Sequence, residues 1–331
     1  MRKIAAGLLL AAGLWSCNSN DNQEAAYGKL LRQAPYAALT DSIKEQPGND
    51  YFYFQRAILL NKDGQAAPAL DDFRRAWELR REENYALGVS NILAAGKPDS
   101  AILFLREAVR ELPQSLLLQL SLARAHKVAG QTAAAIAVCD SILANEPNQV
   151  NTLMLKAELL EEKSDGAGVI ATLEKAYQLL PSNKEIADQL SYKYAEAKNP
   201  RALLIADSLI KADTQRIHTN ARYVKGLYYV QSGETSKALK AFDETLQHDH
   251  RYLNAYIEKG KILLSQKKPE EAQSTFELAN RISPAFPDAW YWIGRCQEAA
   301  GQKQEARLSY EKAYSLDKSF TEAKEAGEKL E

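Results

Sequence analysis

Apolar, small and polar residues follow one another in a pattern that returns roughly every 34 residues along most of the chain. With Pro287 as position 1 of the clearest copy, large residues favour positions 4, 7, 11 and 24, and small residues favour positions 8 and 20. The residues at position 4 are Tyr53, Tyr85, Gln119, Leu153, Ala187, Arg222, Tyr256 and Trp290. Apolar residues three and four apart mark one face of a helix, and a turn separates the two halves of each copy. The pattern therefore predicts eight antiparallel helix pairs.

Small residues recur where the two helices of each predicted pair must cross. Position 8 is occupied by Ala57, Ala123, Ala157, Ser191, Gly226, Gly260 and Gly294, and Val89 is the exception. A small side chain at this position and at position 20 lets the two backbones approach closely. Glycines, which adopt positive φ easily, mark the predicted turns at Gly64, Gly96, Gly130, Gly233 and Gly301. In the pair anchored at Ala187 the turn is one residue short, which places Ala202 at the crossing.

This combination of residues resembles the tetratricopeptide repeat, in which W-x2-L-G-x2-Y is followed by A, F, A and P. In the last copy the matching residues are Trp290, Ile293, Gly294, Ala306, Tyr310 and Ala313. The resemblance implies an all-α fold, a right-handed α-solenoid of stacked antiparallel helix pairs. It assigns eight units to residues 50–320, a degenerate half-repeat to 27–49 and a polar, solvating helix to 321–331.

In this family the first helices line a concave surface where partners bind, and positions 2, 5, 9 and 12 face that surface. The resemblance implies a partner-binding face formed by Tyr51, Phe54, Arg124, Lys127, Asn151, Glu158, Asp188, Tyr192, Asn220, Tyr223, Asn254, Lys261, Tyr291 and Arg295. Tyrosine and arginine bury area while keeping a hydrogen-bonding group, and asparagine can bind the backbone of an extended peptide. The face is basic near Arg124 and acidic from Glu158 to Asp188, unlike the continuous basic track that nucleic acid requires.

The N-terminus has the features of a targeting segment. Two basic residues precede the apolar stretch Ile4–Trp15, which as a helix spans about 18 Å and cannot cross a hydrocarbon core of about 30 Å. We therefore predict a secretory signal peptide over residues 1–16. Leu14–Cys17 resembles the lipobox of bacterial lipoproteins, which implies lipidation of Cys17 and a flexible tether over residues 17–26. An ordinary signal peptide with an incidental cysteine is the alternative.

The lipid on Cys17 is the single attachment to a membrane that the sequence predicts. Asn18 follows it, in place of the aspartate that retains lipoproteins in the inner membrane of enteric bacteria. We therefore expect a protein of the cell envelope, anchored in the outer rather than the inner membrane. Which side of that membrane it faces stays open.

Composition excludes several functions without identifying one. The 331 residues are 46% hydrophobic and 26% charged, as in ordinary soluble domains, and the net charge of −1 argues against nucleic-acid binding by bulk charge. The sequence has no Walker or Rossmann glycine loop, no G-x-S-x-G, no H-E-x-x-H and no Cys-x-x-Cys. It predicts no enzymatic activity, no cofactor and no metal site.

The remaining reactive residues have structural interpretations. His248-Asp249-His250 falls at a helix end, where we expect side chains that are solvated or face the helix dipole rather than metal ligands. His126 is expected to be partly buried, and Cys139 and Cys296 to be small core residues. The acidic pairs expected to be solvated are Asp71-Asp72 and Glu161-Glu162.

Two hypotheses of function follow. The chain is a lipid-anchored scaffold that binds a protein or peptide on its concave face in an envelope assembly or secretion complex, or it is a sensing module for peptide or glycan fragments. An enzyme with an unrecognised set of side chains is a third and weaker hypothesis.

Overall fold

Helices make up the whole of the regular structure in the part of the chain that the computed structural model describes, which is residues 26–214 and 218–330. The predicted signal peptide, Cys17 and nearly all of the predicted tether lie outside the described residues. The all-helical fold predicted from the sequence is confirmed. None of the described helices is both long enough and apolar enough to span a lipid bilayer.

The chain divides into two compact units, Met1–Thr152 and Leu153–Glu331. The helices that begin in the first unit are α1 (residues 26–31), α2 (Ala37–Glu45), α3 (Asp50–Lys62), α4 (Ala66–Leu79), α5 (Glu83–Gly96), α6 (Pro98–Glu111), α7 (Leu116–Val128), α8 (Thr132–Asn145) and α9 (Val150–Glu162). Those of the second unit are α10 (Gly166–Leu179), α11 (Lys184–Glu196), α12 (Arg201–Ala212), α13 (Asn220–Gln231), α14 (Thr235–His248), α15 (Leu253–Ser265), α16 (Pro269–Ile282), α17 (Pro287–Ala299), α18 (Lys303–Leu316) and α19 (Thr321–Glu328).

Most of the turns inside the helix pairs share one backbone conformation. The second residue after the first helix has positive φ in seven of the described pairs, and it is a glycine in four of them: Gly64, Gly130, Gly233 and Gly301. In the other three pairs the same place is taken by Ser164, Lys198 and Lys267. These residues adopt the left-handed conformation at a cost that glycine avoids.

Glycine at the crossing of a pair is required by an aromatic ring on the opposite helix. A Cβ atom added at Gly226 would lie 2.3 Å from the ring of Phe242, and one added at Gly260 would lie 2.3 Å from the ring of Phe276. Both rings are fully buried. The close approach predicted from position 8 is therefore present, and it seats a large ring directly on the backbone of the first helix.

The second pair departs from the pattern. Its turn is a single residue, Lys97, and Gly96 is the last residue of α5 and does not have positive φ, so the expectation for this glycine is wrong. The shortened step from Tyr53 to Tyr85 ends before this turn and includes the segment between α4 and α5, which has three residues (80–82), whereas four residues (112–115) separate α6 from α7. In this pair Gly88, next to the exceptional Val89, lies against the ring of Phe73, where an added Cβ would come within 2.5 Å. Gly88 therefore allows α5 to pack closely against α4 of the preceding pair.

The pair anchored at Ala187 has the short turn that the sequence predicts. Ala202 lies four residues after the positive-φ residue Lys198, whereas Ala238 lies five residues after Gly233. Ala202 is fully buried. Ala202 therefore lies where the two helices of this pair cross, one residue earlier than in the other pairs.

A buried ion pair lies in the core of the first helix pair. Asp72 is fully buried, and its two carboxylate oxygens accept hydrogen bonds of 2.7 Å from Nε and Nη2 of Arg56, which is 3% exposed. Nη1 of Arg56 also donates to Oγ1 of Thr40 in α2, at 2.9 Å. The expectation that Asp72 is solvated is wrong, because Arg56 replaces the apolar residue expected at position 7 and needs a buried counter-charge. Glu161 and Glu162 are exposed, as expected.

Candidate partner-binding face

The first helices of neighbouring pairs pack against one another in both units. α5 contacts α7 in the N-terminal unit, and α11 contacts α13 and α15 contacts α17 in the C-terminal unit. The predicted partner-binding residues lie on these first helices, and we call the side of each unit that carries them the first-helix face. Each unit has its own first-helix face.

In the N-terminal unit the predicted residues differ in accessibility. Tyr51 is 55% exposed, Arg124 is exposed and Lys127 is half-buried. The ring of Phe54 lies 4.8 Å from that of Tyr85 and is half-buried. Tyr51 and Arg124 therefore offer surface to a partner, while Phe54 also joins the first pair to the second.

In the C-terminal unit three tyrosines from successive first helices come together. Tyr192 belongs to α11, Tyr223 to α13, and Tyr252 immediately precedes α15; together they form what we call the tyrosine cluster. The ring centroids of Tyr223 and Tyr252 are 5.0 Å apart, and Tyr192 packs against the same buried group. Tyr223 is only 7% exposed, so it supports the other two rings and offers little surface itself.

A chain of polar side chains borders the tyrosine cluster. Oη of Tyr252 donates a hydrogen bond of 2.8 Å to Oδ1 of Asn220, and the Asn220 side chain lowers the pKa of the neighbouring Asp188 carboxylate. Oδ1 of Asp188 is buried and has no hydrogen-bond partner. The structure thus brings together Asp188, Tyr192, Asn220 and Tyr223, four residues that the sequence assigned to the face separately.

Burial raises the pKa of the ionisable groups around the tyrosine cluster, and nearby carboxylates raise the pKa of the tyrosines further. Burial, followed by the groups of Tyr192, Asp188 and Asp249, raises the pKa of Tyr252 to about 12. Burial and then Glu258 also raise the pKa of Tyr223, and burial and then Glu196 raise that of Tyr192. The pKa of Asp188 is raised by burial, which outweighs the lowering by the Asn220 hydrogen bond. Burial and the nearby carboxylates therefore both disfavour further negative charge at this place, and the carboxylates favour a cation there.

A second group of side chains on the same unit contains basic residues packed on aromatic rings. Nζ of Lys261 lies 5.2 Å from the ring centroid of Trp292, and the Arg295 guanidinium lies 5.9 Å from it. Nη1 of Arg295 donates to Oη of Tyr291 at 3.2 Å. Lys261, Tyr291 and Arg295, all predicted for the face, thus surround Trp292, and two cations stack on aromatic rings there.

The other predicted residues are exposed and lie outside these two groups. Asn151 and Glu158 on α9 and Asn254 on α15 are all exposed. Their side chains are accessible to a partner, and their role stays a prediction.

Sequence reasoning missed three residues of the face. Glu258 and Trp292 stand at position 6, and Tyr252 stands one residue before its unit begins. Position 6 lies four residues after position 2 and three before position 9, so helical geometry places it on the same stripe. That spacing was a usable signal for Glu258 and Trp292, whereas no spacing within a unit identifies Tyr252.

No other reactive group forms a site. Across residues 26–214 and 218–330, no three His, Cys, Asp or Glu side chains are placed to hold a metal ion. Cys139 and Cys296 are buried thiols, and His126 is buried with Nδ1 2.8 Å from Oε1 of Gln131, as expected. His248 is not solvated: its side chain, in the last turn of α14, is 5% exposed, and Nδ1 lies 2.9 Å from Oγ1 of Thr219. It packs there because α14 ends against the segment that precedes α13.

Comparisons with known proteins agree with the helix pairing. One tetratricopeptide repeat model matches residues 93–159 and 263–313, and a second matches residues 223–285.

A solved structure of a tetratricopeptide repeat protein from Parabacteroides merdae superposes on this chain with a TM-score of 0.62 at 19% identity, covering 74% of this chain and 96% of that one. MamA gives a TM-score of 0.38 at 22% identity, covering 52% of this chain and 94% of that one, which is too weak to add support. No curated protein matches the sequence. Residues 93–159 and 223–313 therefore match tetratricopeptide-repeat models, and the described chain has the tetratricopeptide-repeat fold.

Proposed function

We propose that this protein is a scaffold that binds a protein or peptide partner on its first-helix faces. The observation that carries the proposal is the grouping of aromatic and hydrogen-bonding side chains on the first helices of the C-terminal unit. Tyr192, Tyr252 and Trp292 are each half-buried, so their rings are held in place while part of each remains accessible. Rigid, partly exposed aromatic rings beside charged groups are typical of residues that dominate binding energy at interfaces.

The side chains on this face suit binding better than a reaction. Cations near Trp292 are stacked on rings, and the tyrosine cluster holds its hydroxyls in the neutral form. Neither arrangement supplies a nucleophile with an adjacent base, which acyl or phosphoryl transfer would need. The proposal therefore assigns the face a partner and no reaction.

A photo-crosslinking amino acid placed at the face tests this proposal. Benzoylphenylalanine at Arg295 in α17 should capture an identifiable protein, while the same residue at Leu308 in α18 should not. Both side chains are exposed and belong to one helix pair, so the comparison isolates the face. Equal capture at both positions would contradict the proposal. Recovery of a peptide or glycan fragment without a protein partner would favour the sensing alternative.

We further propose that a lipid on Cys17 anchors the scaffold in the bacterial cell envelope, in the outer membrane, as part of an assembly or secretion complex. The support is the lipobox-like sequence, with Leu14 and Ser16 before the cysteine and a polar stretch after it. Acyl chains contribute about 0.8 kcal/mol per buried methylene, so two or three chains hold a protein at a membrane stably.

Metabolic labelling with a fatty-acid analogue tests the anchor. Cys17→Ala should abolish labelling and either release the protein from membranes or leave the signal peptide uncut. Cys139→Ala, a change at a buried thiol, should leave labelling intact. Labelling that persists in Cys17→Ala would refute the lipid anchor.

A further inference from the structure

We infer that the tyrosine cluster receives a lysine or arginine side chain of the partner, with its cationic group beside Asp188. The inference rests on the proposed function and specifies the chemistry of the partner at one part of the face. It follows from the two kinds of group that meet there, aromatic rings and carboxylates, because both attract a cation.

Four carboxylates lie around the cluster, Asp188, Glu196, Asp249 and Glu258, and the two glutamates each have a cation of their own. Glu258 accepts a contact of 2.6 Å from Nζ of Lys261, and Glu196 accepts one of 2.7 Å from Nζ of Lys193. Asp188 has no ion pair with any residue of the described chain, and Asn220, His218 and Lys184, in that order, lower its pKa. Oδ1 of Asp249 already accepts a hydrogen bond of 2.9 Å from the backbone N–H of Arg251, so Asp188 is the carboxylate that we assign to a partner's cation.

The surroundings of Asp188 make its bare charge costly. The side chain is partly buried, Oδ1 has no hydrogen-bond partner, and Asn220 is a polar neighbour that lowers the pKa of the carboxylate. A carboxylate withdrawn from water without a counter-charge is unfavourable, and a cation at its accessible edge offsets that cost. A neutral or acidic partner side chain would leave the cost in place.

The second group on the same unit fixes the position of the cation. Lys261 and Arg295 already stack on Trp292, so a partner's cation next to them would meet like charge. The charge pattern of the unit therefore favours a partner whose basic residue reaches α11 and α13 rather than α17.

Selection from a phage-displayed library of random peptides tests the inference on the full chain in detergent. Peptides that bind should be enriched in lysine or arginine. Synthetic copies should bind Asp188→Asn about tenfold more weakly than the unsubstituted protein, the loss typical of a charge-assisted hydrogen bond. Asp207→Asn makes the same change at a carboxylate that is 60% exposed and pairs with Lys225, and should leave binding unchanged.

A second arm leaves the protein untouched, so the test does not depend on the folding of Asp188→Asn. Replacing the selected lysine of the peptide by norleucine should lower affinity for the unsubstituted protein about tenfold. The same replacement should have little further effect on binding to Asp188→Asn, because the paired charges act together.

The outcomes separate this inference from the proposed function. Neutral or acidic peptides that bind the face, with equal affinity for Asp188→Asn, would overturn the cation site and leave the scaffold proposal standing. If no peptide is selected at all, peptide binding itself fails, and the cation site fails with it.

Discussion

The first and last helix pairs cross at the same position but fill the crossing with different chemistry. In the first pair Ala57 lies at the crossing, beside the buried ion pair of Arg56 and Asp72. In the last pair Gly294 lies there, against the ring of Tyr310, whose Oη donates to Glu298 at 2.6 Å. One crossing is held by directional charge, and the other is held mainly by the fit of a ring on a bare backbone.

The difference shows what each end of the repeat array needs. Arg56 bonds to Asp72 in α4 and to Thr40 in α2, so one guanidinium ties three helices together and fixes how α2 lies on the first pair. At the other end α19 packs on α18, and Gly327 lies near Cβ of Tyr310. A buried ion pair adds little net stability over an apolar one, but it is strict about geometry. Ring packing adds stability and is strict about volume.

The largest effect expected from this comparison is that of Asp72→Ala. The change leaves the Arg56 guanidinium buried without its carboxylate, which costs about 3–5 kcal/mol. The N-terminal unit should therefore unfold at lower denaturant concentration, and fluorescence of the buried Trp77 in α4, together with hydrogen exchange of α3 and α4, would measure it.

Two variants control for the loss of the carboxylate as such. Asp41→Ala removes a carboxylate that is 75% exposed and should change stability little. Arg56→Leu combined with Asp72→Leu removes both charges and should recover most of the loss. If Asp72→Ala were as harmless as Asp41→Ala, the ion pair would not hold the first crossing.

A smaller effect is expected at the ring-packed crossings. In Gly260→Ala the new methyl group would lie 2.3 Å from the ring of Phe276, and such overpacking typically costs about 1–3 kcal/mol. Alanine is the better helix former by about 1 kcal/mol, so net destabilisation would show that packing outweighs propensity. Gly96→Ala is the matched control, since this helical glycine has no atom within 4 Å of its Cβ position and should be stabilised. Thermal unfolding of both variants would check the opposite signs.

The regular crossings could be predicted from the sequence because they depend on residue size at fixed spacing. Gly226 and Gly260 recur with Phe242 and Phe276 sixteen residues later, and the structure places each ring on its glycine. The ion pair could not be predicted in the same way. Position 7 of Arg56 is basic in three other pairs as well, whereas position 23 of Asp72 holds an apolar or small polar residue in every other pair. A residue type that occurs at its position in one pair only gives no periodic signal. The contact between Asp72 and Arg56 can therefore be recognised only when the positions of both helices are known.

The candidate face was predictable residue by residue but not as a set of contacts. Positions 2 and 5 of the repeat identified Asp188, Asn220 and Tyr223. The contacts of these residues, however, run from one helix pair to the next. Tyr252 joins the group through the segment between pairs, which no rule inside one unit describes. Contacts between units depend on how neighbouring first helices pack, and the sequence pattern constrains this less than the crossing within a pair.

The smallest expected change in stability concerns the turns within the helix pairs rather than the crossings. Lys267 has φ of 61°, whereas the equivalent residue of the preceding pair is Gly233 with φ of 75°. Because a side chain disfavours the left-handed conformation, Lys267→Gly should raise stability by up to about 1 kcal/mol. Lys268 has φ of −117°, so Lys268→Gly should lower stability, since glycine loses more backbone freedom on folding. Opposite shifts of the unfolding midpoint for two adjacent lysines would assign the effect to backbone conformation, and equal shifts would assign it to the loss of a charged side chain.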